Sequence, residues 1–90
     1  MINSLTFSAI DRKLAGDYSD PYSCILATAL RRRGFPNASV GPCFATVNGT
    51  EYRTDFNSIT AEWKSHPITG KGRYGKKVIG KTVRFIPVNN

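Results

Sequence analysis

The chain has 90 residues, 40% of them hydrophobic, and its 13 Lys and Arg against 6 Asp and Glu leave a net charge of +7. That length and apolar content build one compact core and leave no room for a second, so residues 1–90 are expected to form a single domain. No run approaches the roughly 18–20 consecutive apolar residues of a membrane span, and the opening Met1-Ile2-Asn3-Ser4-Leu5-Thr6-Phe7 lacks a basic segment followed by a long apolar stretch; the expectation is a cytoplasmic protein with no membrane partner.

The opening Leu5-Thr6-Phe7 suits a short strand. Ser8 followed three residues later by Asp11 is a capping-box spacing, and it predicts a brief helix carrying Ile10 and Leu14 on one face, ended by Gly16. Asp20 is an N-cap residue and Pro21 suits a first helical turn. The segment Cys24-Ile25-Leu26-Ala27-Thr28-Ala29-Leu30 then continues a helix predicted over 21–33. Arg31, Arg32 and Arg33 fall in its last turn, where cations favour the helix dipole, and Gly34 suits the left-handed position beyond it.

After Pro36 the apolar period changes to two, and Asn48-Gly49 is the pair preferred by a type I′ hairpin turn. With Val47 opposite Thr50, Ala45 faces Tyr52 and Cys43 faces Thr54, which directs Cys43 into the core and Phe44, Thr46, Glu51 and Arg53 away from it. Pro42 has no N–H for a ladder, so a bend or bulge is expected near Val40. Asn57 or Ser58 caps a third helix with Ile59 and Trp63 on one face, ending near Ser65 because Pro67 disfavours helix at His66. Residues 69–77 read as a basic, glycine-rich loop. Residues 78–88 read as a final strand with Ile79, Val83 and Phe85 inward and a bulge at Gly80. The expected fold is α+β: a small antiparallel sheet of three to four strands, with one hairpin at Asn48-Gly49 and two to three short helices packed on one face.

The charge is placed unevenly. Residues 1–62 hold Arg12, Lys13, Arg31, Arg32, Arg33 and Arg53 together with all six acids and sum to zero, whereas Lys64, Lys71, Arg73, Lys76, Lys77, Lys81 and Arg84 stand without an acid in the last third. Such a block draws polyanions or acidic protein faces. Lys71, Arg73, Lys76, Lys77, Lys81 and Arg84 are therefore candidate phosphate contacts, Tyr74 is a candidate stacking platform for a base, and Arg31, Arg32 and Arg33 are a second cationic group.

Enzymatic constellations are thin. Gly70-Lys71-Gly72-Arg73-Tyr74-Gly75 has the letters of a dinucleotide loop, but a strand rather than a helix is expected after it. Cys24 near a helix N-terminus has the setting of a nucleophile, with His66 as the sole histidine to serve as base. Cys24-Ile25-Leu26-Ala27 through Arg33-Gly34 is loosely similar to the nucleophile helix of papain-like and bacteriocin-processing peptidases. Yet His66 abuts Pro67 and has no Asp, Glu or amide residue after it until Asn89. The expectation is a structural Cys24 and no catalytic residue. Two cysteines and one histidine do not make four metal ligands, so neither metal nor cofactor is expected.

Asp20-Pro21-Tyr22-Ser23-Cys24-Ile25-Leu26-Ala27-Thr28-Ala29-Leu30-Arg31-Arg32 resembles a pattern in small proteins encoded by bacteriophages and prophages, with a short helix before the Asp, a valine-rich hairpin after the helix and a terminal β segment. The sequence departs from that pattern at Ile25, where Pro is usual, and in its basic loop. The resemblance implies a phage origin but no site residues. By analogy with such proteins, the expected function is inhibition of a host nucleoprotein or nucleic-acid-handling defence complex, of the anti-CRISPR kind. The alternatives are sequence-independent binding of DNA or RNA, a minor virion or assembly component, and a Cys24-dependent enzyme.

Overall fold

The computed structural model describes residues 2–16, 20–63 and 74–88, with the backbone alone at 60–63. In chain order the elements are β1 (Ser4–Thr6), α1 (Ala9–Leu14), α2 (Ile25–Arg32), β2 (Ala38–Val40), β3 (Phe44–Val47), β4 (Thr50–Thr54), α3 (Phe56–Trp63), a 3-10 turn (Lys76–Val78) and β5 (Thr82–Pro87). The strands make one antiparallel sheet in the order β1-β5-β4-β3-β2. The fold is α+β as the sequence predicts, with five strands rather than three to four.

The additional strand arises where the sequence suggests only a bend. Gly41-Pro42-Cys43-Phe44 reverses the chain completely, closed by the Gly41 N–H on the Phe44 carbonyl (2.7 Å), and β2 pairs back on β3 with Val40 opposite Ala45. Pro42 sits in the turn, where its missing N–H costs no ladder bond. Cys43 keeps its expected partner, since its carbonyl accepts the Thr54 N–H (2.8 Å). Its side chain, however, is exposed at the turn rather than buried.

The second hairpin follows the predicted register residue by residue: Phe44 opposite Arg53, Ala45 opposite Tyr52, Thr46 opposite Glu51 and Val47 opposite Thr50. Asn48 (φ 50°) and Gly49 (φ 86°) take the left-handed values of a type I′ turn. A Cβ on Gly49 would meet nothing within 4 Å, so the cost of Gly49→Val is backbone strain alone, about 1–3 kcal/mol. Urea denaturation should show that loss, and a distinctly smaller one for Gly49→Asn, since asparagine tolerates the left-handed region. Equal losses would mean that the turn is not their source.

One face of the sheet is apolar. Leu5, Val83, Phe85, Tyr52, Ala45, Val47, Ala38 and Val40 are buried there with Thr54, while Ser4, Thr6, Arg84, Ile86, Arg53, Glu51, Phe44 and Thr46 are exposed on the other. The buried face lies against α2, whose residues from Ile25 to Leu30 are all buried. This helix starts later than the sequence suggests because Asp20 caps a turn ahead of it. The Asp20 carboxylate accepts the Tyr22 N–H (2.8 Å), and its carbonyl accepts the N–H groups of Ser23 and Cys24 (3.3 and 3.0 Å). Cys24 is therefore the N-cap residue of α2.

Helix α1 begins on the predicted capping box, with the Asp11 N–H on Ser8 Oγ (3.3 Å) and the Ser8 N–H on Asp11 Oδ2 (2.8 Å). Its orientation is not the predicted one. Ile10 and Leu14 are more than half exposed, whereas Phe7, Asp11 and Ala15, spaced four apart, form the buried stripe. Helix α3 starts at Phe56, ahead of Asn57, because Thr54 Oγ1 takes the Phe56 N–H (3.3 Å) and Phe56 is buried. Ile59 packs against the core as expected. The Trp63 side chain and the predicted helix end at Ser65 to Pro67 lie outside the described residues.

The last strand is shorter than predicted. Gly80 (φ 90°) takes the left-handed conformation of the predicted bulge, with Gly80 and Lys81 together opposite Phe7. The Gly80 N–H reaches the Phe7 carbonyl (2.8 Å) and the Phe7 N–H reaches the Lys81 carbonyl (3.0 Å). Val78 is therefore the inward residue and Ile79 is 40% exposed.

Candidate anion-binding surface

Asp11 is fully buried yet ionised, and the cations around it explain both. Arg33 forms a two-pronged pair, Nη1 to Oδ1 and Nη2 to Oδ2 at 3.0 Å each, and Arg32 Nη1 reaches Oδ1 at 2.6 Å. Burial alone pushes the Asp11 carboxyl up. The Arg33 hydrogen bond, the Ser8 N–H and the Arg32 bond outweigh it and hold the group at about 2. Arg33 also donates to the carbonyls of Ala29 (2.9 Å) and Thr6 (3.0 Å). Arg32 and Arg33 thus clamp α1 and β1 to the end of α2, a structural duty that the run of three arginines did not suggest. Arg31 turns the other way, with Nη1 on the Tyr22 carbonyl and Nη2 3.5 Å from Thr28 Oγ1.

The clamp neutralises the sole acid of α1, and more cations gather around that helix. Arg12 and Lys13 occupy its last turn. Arg12 Nε donates to the Tyr74 carbonyl (3.0 Å), fastening the chain just ahead of the 3-10 turn, and that turn packs against α1. Lys76 and Lys77 are exposed on it, and Lys81 follows where the chain meets Phe7. Cations from three stretches of sequence, 12–13, 32–33 and 76–81, are thereby brought around one helix. Arg84 does not join them, being exposed on the opposite face of the sheet, opposite Ser4, with its N–H on Asp55 Oδ1 (3.0 Å). Lys71 and Arg73 lie outside the described residues. Arg12 and Lys13 were missed in the sequence because acids nearby in the chain cancelled them in the charge count.

Tyr74 is a correction. The sequence set it in a loose basic loop as a stacking platform, but it is only 2% exposed. Its ring lies 6.3 Å from Phe56, which in turn lies 6.3 Å from Phe7, so it belongs to the core aromatic cluster. A base has no access to its face.

Cys24 is buried at the N-cap of α2. Desolvation raises its thiol above the ordinary value despite the N–H groups of Ala27 and Leu26, the reverse of what a nucleophile needs. His66 lies outside the described residues. Among the described residues no group of three or more His, Cys, Asp or Glu could hold a metal ion, and no helix is long and apolar enough to cross a membrane. No family model matches the sequence, and neither a curated protein nor a solved structure matches it.

Proposed function

We propose that this protein is a non-catalytic binder that engages the phosphates of a nucleic acid, free or within a host nucleoprotein complex, through the basic surface around α1 and the 3-10 turn. The observation that carries this reading is the convergence of Arg12, Lys13, Lys76, Lys77 and Lys81 around a helix whose one acid is buried and already paired with Arg32 and Arg33. Cations spread over separate elements present charge along a surface, as a phosphate backbone requires, rather than at a point. The biological role proposed with it, on the resemblance to phage-encoded proteins, is to occupy and so inhibit a nucleic-acid-handling defence complex of the host. The raised Cys24 thiol supports a reading without covalent chemistry.

The salt dependence of binding tests this. For a duplex, log K should fall with log salt by about 0.9 for each phosphate contacted, so Lys76→Ala with Lys77→Ala should reduce the slope by about 1.8 while circular dichroism reports an unchanged fold. An unaltered slope in the folded double variant would remove the 3-10 turn from the interface.

A further inference from the structure

Beside Arg31 of α2 and the paired strands β2 and β3, a groove of about 360 Å³ is lined by Tyr22, Arg31, Pro36, Asn37, Ser39 and Thr46 among others. This volume is within the range of small-ligand sites, about 300–1,000 Å³. Tyr22 is 64% exposed and lies outside the buried core cluster, an unusual position for a large aromatic side chain. Arg31 is held in place by the Tyr22 carbonyl and Thr28 Oγ1. A guanidinium has five N–H donors, so this fixed group keeps others for a ligand. Asn37 offers an amide with both donor and acceptor, and Ser39 and Thr46 offer hydroxyls from opposite positions on β2 and β3.

We infer that this groove takes one unpaired nucleotide of a single strand, with the base on the Tyr22 ring, a phosphate on Arg31, and base or sugar edges on Asn37, Ser39 and Thr46. An aromatic face beside a cation is the arrangement that grips single-stranded nucleic acid without regard to sequence. A peptide adding to the edge of β2 fits less well. That strand has three residues, and its Val40 N–H is already bonded to the Pro21 carbonyl (2.9 Å), so little of a ladder is open. The inference deepens the nucleic-acid reading, on which the course of the rest of the strand depends, and it gives the stacking role to Tyr22 in place of the buried Tyr74.

The test titrates a mononucleotide 5′-phosphate into the protein and follows backbone amides by NMR, alongside affinities for a short oligothymidylate and for duplex DNA. The expected shifts fall at Tyr22, Arg31, Asn37, Ser39 and Thr46. Tyr22→Ala should lower oligothymidylate affinity roughly 5- to 150-fold, leave duplex affinity unchanged, and be rescued by Tyr22→Phe. Should Tyr22→Ala leave oligothymidylate affinity intact, or should the mononucleotide move no groove amide, the assignment is overturned. Failure of the polyanion reading looks different: the groove amides would still respond to the mononucleotide, while Lys76→Ala with Lys77→Ala would leave every salt slope as it was.

Discussion

Replacing Asp11 with alanine is expected to cost about 3 kcal/mol of folding free energy, at the lower end of the 3–5 kcal/mol typical when one partner of a buried ion pair is removed. The lower end applies because Arg32 and Arg33 keep about a third of their side-chain surface exposed (34% and 32%) and regain water when the carboxylate goes. Part of the loss is the capping box, for which about 1 kcal/mol is typical. Against a total of roughly 5–15 kcal/mol for a domain, this is a large share. The same group sets the acid limb of stability. Its carboxyl is depressed from 3.8 to about 2 in the folded protein, so its contribution is fully present above the unfolded value and is lost as pH falls from about 5 through about 2, on the order of 2 kcal/mol in all. Urea denaturation at neutral pH and near pH 3 should show this slope in the parent, and a much flatter one in Asp11→Asn. A parent whose stability is constant between those pH values would mean that Asp11 is not ionised in the fold.

Tyr74→Ala should destabilise the protein by about 3–5 kcal/mol, the range for truncating a buried aromatic residue. Tyr74→Phe should retain most of the stability, because the ring contact with Phe56 survives. Neither change should alter oligonucleotide affinity in protein that remains folded. Were Tyr74 a stacking platform, the pattern would be reversed: little change in the denaturation midpoint and a clear loss of single-strand binding. Measuring both quantities on the phenylalanine and alanine variants separates the two roles.

These residues mark how far the sequence could be read. The Asn48-Gly49 hairpin was legible in full, since turn chemistry and the period of two are local signals and both agree. The Ser8 to Asp11 capping box was legible for the same reason. The face of α1 was not. Ile10 and Leu14 have a spacing that reads as a core stripe, but the stripe that is buried runs through Asp11, and an acid becomes acceptable there only because Arg32 and Arg33 arrive from elsewhere in the chain. No local pattern announces such a pairing. Tyr74 follows the same logic, since a run of Gly, Lys and Arg before it looks like solvated loop, and its burial depends on Phe56. The basic character of the candidate surface was legible in the composition of the last third. Its extension over Arg12 and Lys13 and the departure of Arg84 to the other face were fixed by packing.

The strand order carries a consequence for how the chain reaches this state. β2, β3 and β4 are neighbours in sequence and in the sheet, joined by tight turns, so they can assemble as soon as they exist. β1 has no such neighbour: its partner is β5, with Leu5 opposite Val83, and β5 also pairs with β4. β1 therefore cannot pair until β5 has been made, and the loop that this pairing closes, from Leu5 to Val83, is the longest that the sheet requires and the most costly to close in chain entropy. Until then the inner sides of Leu5 and Phe7 have no sheet to cover them, and the growing chain offers an apolar segment and an unpaired edge to whatever is nearby.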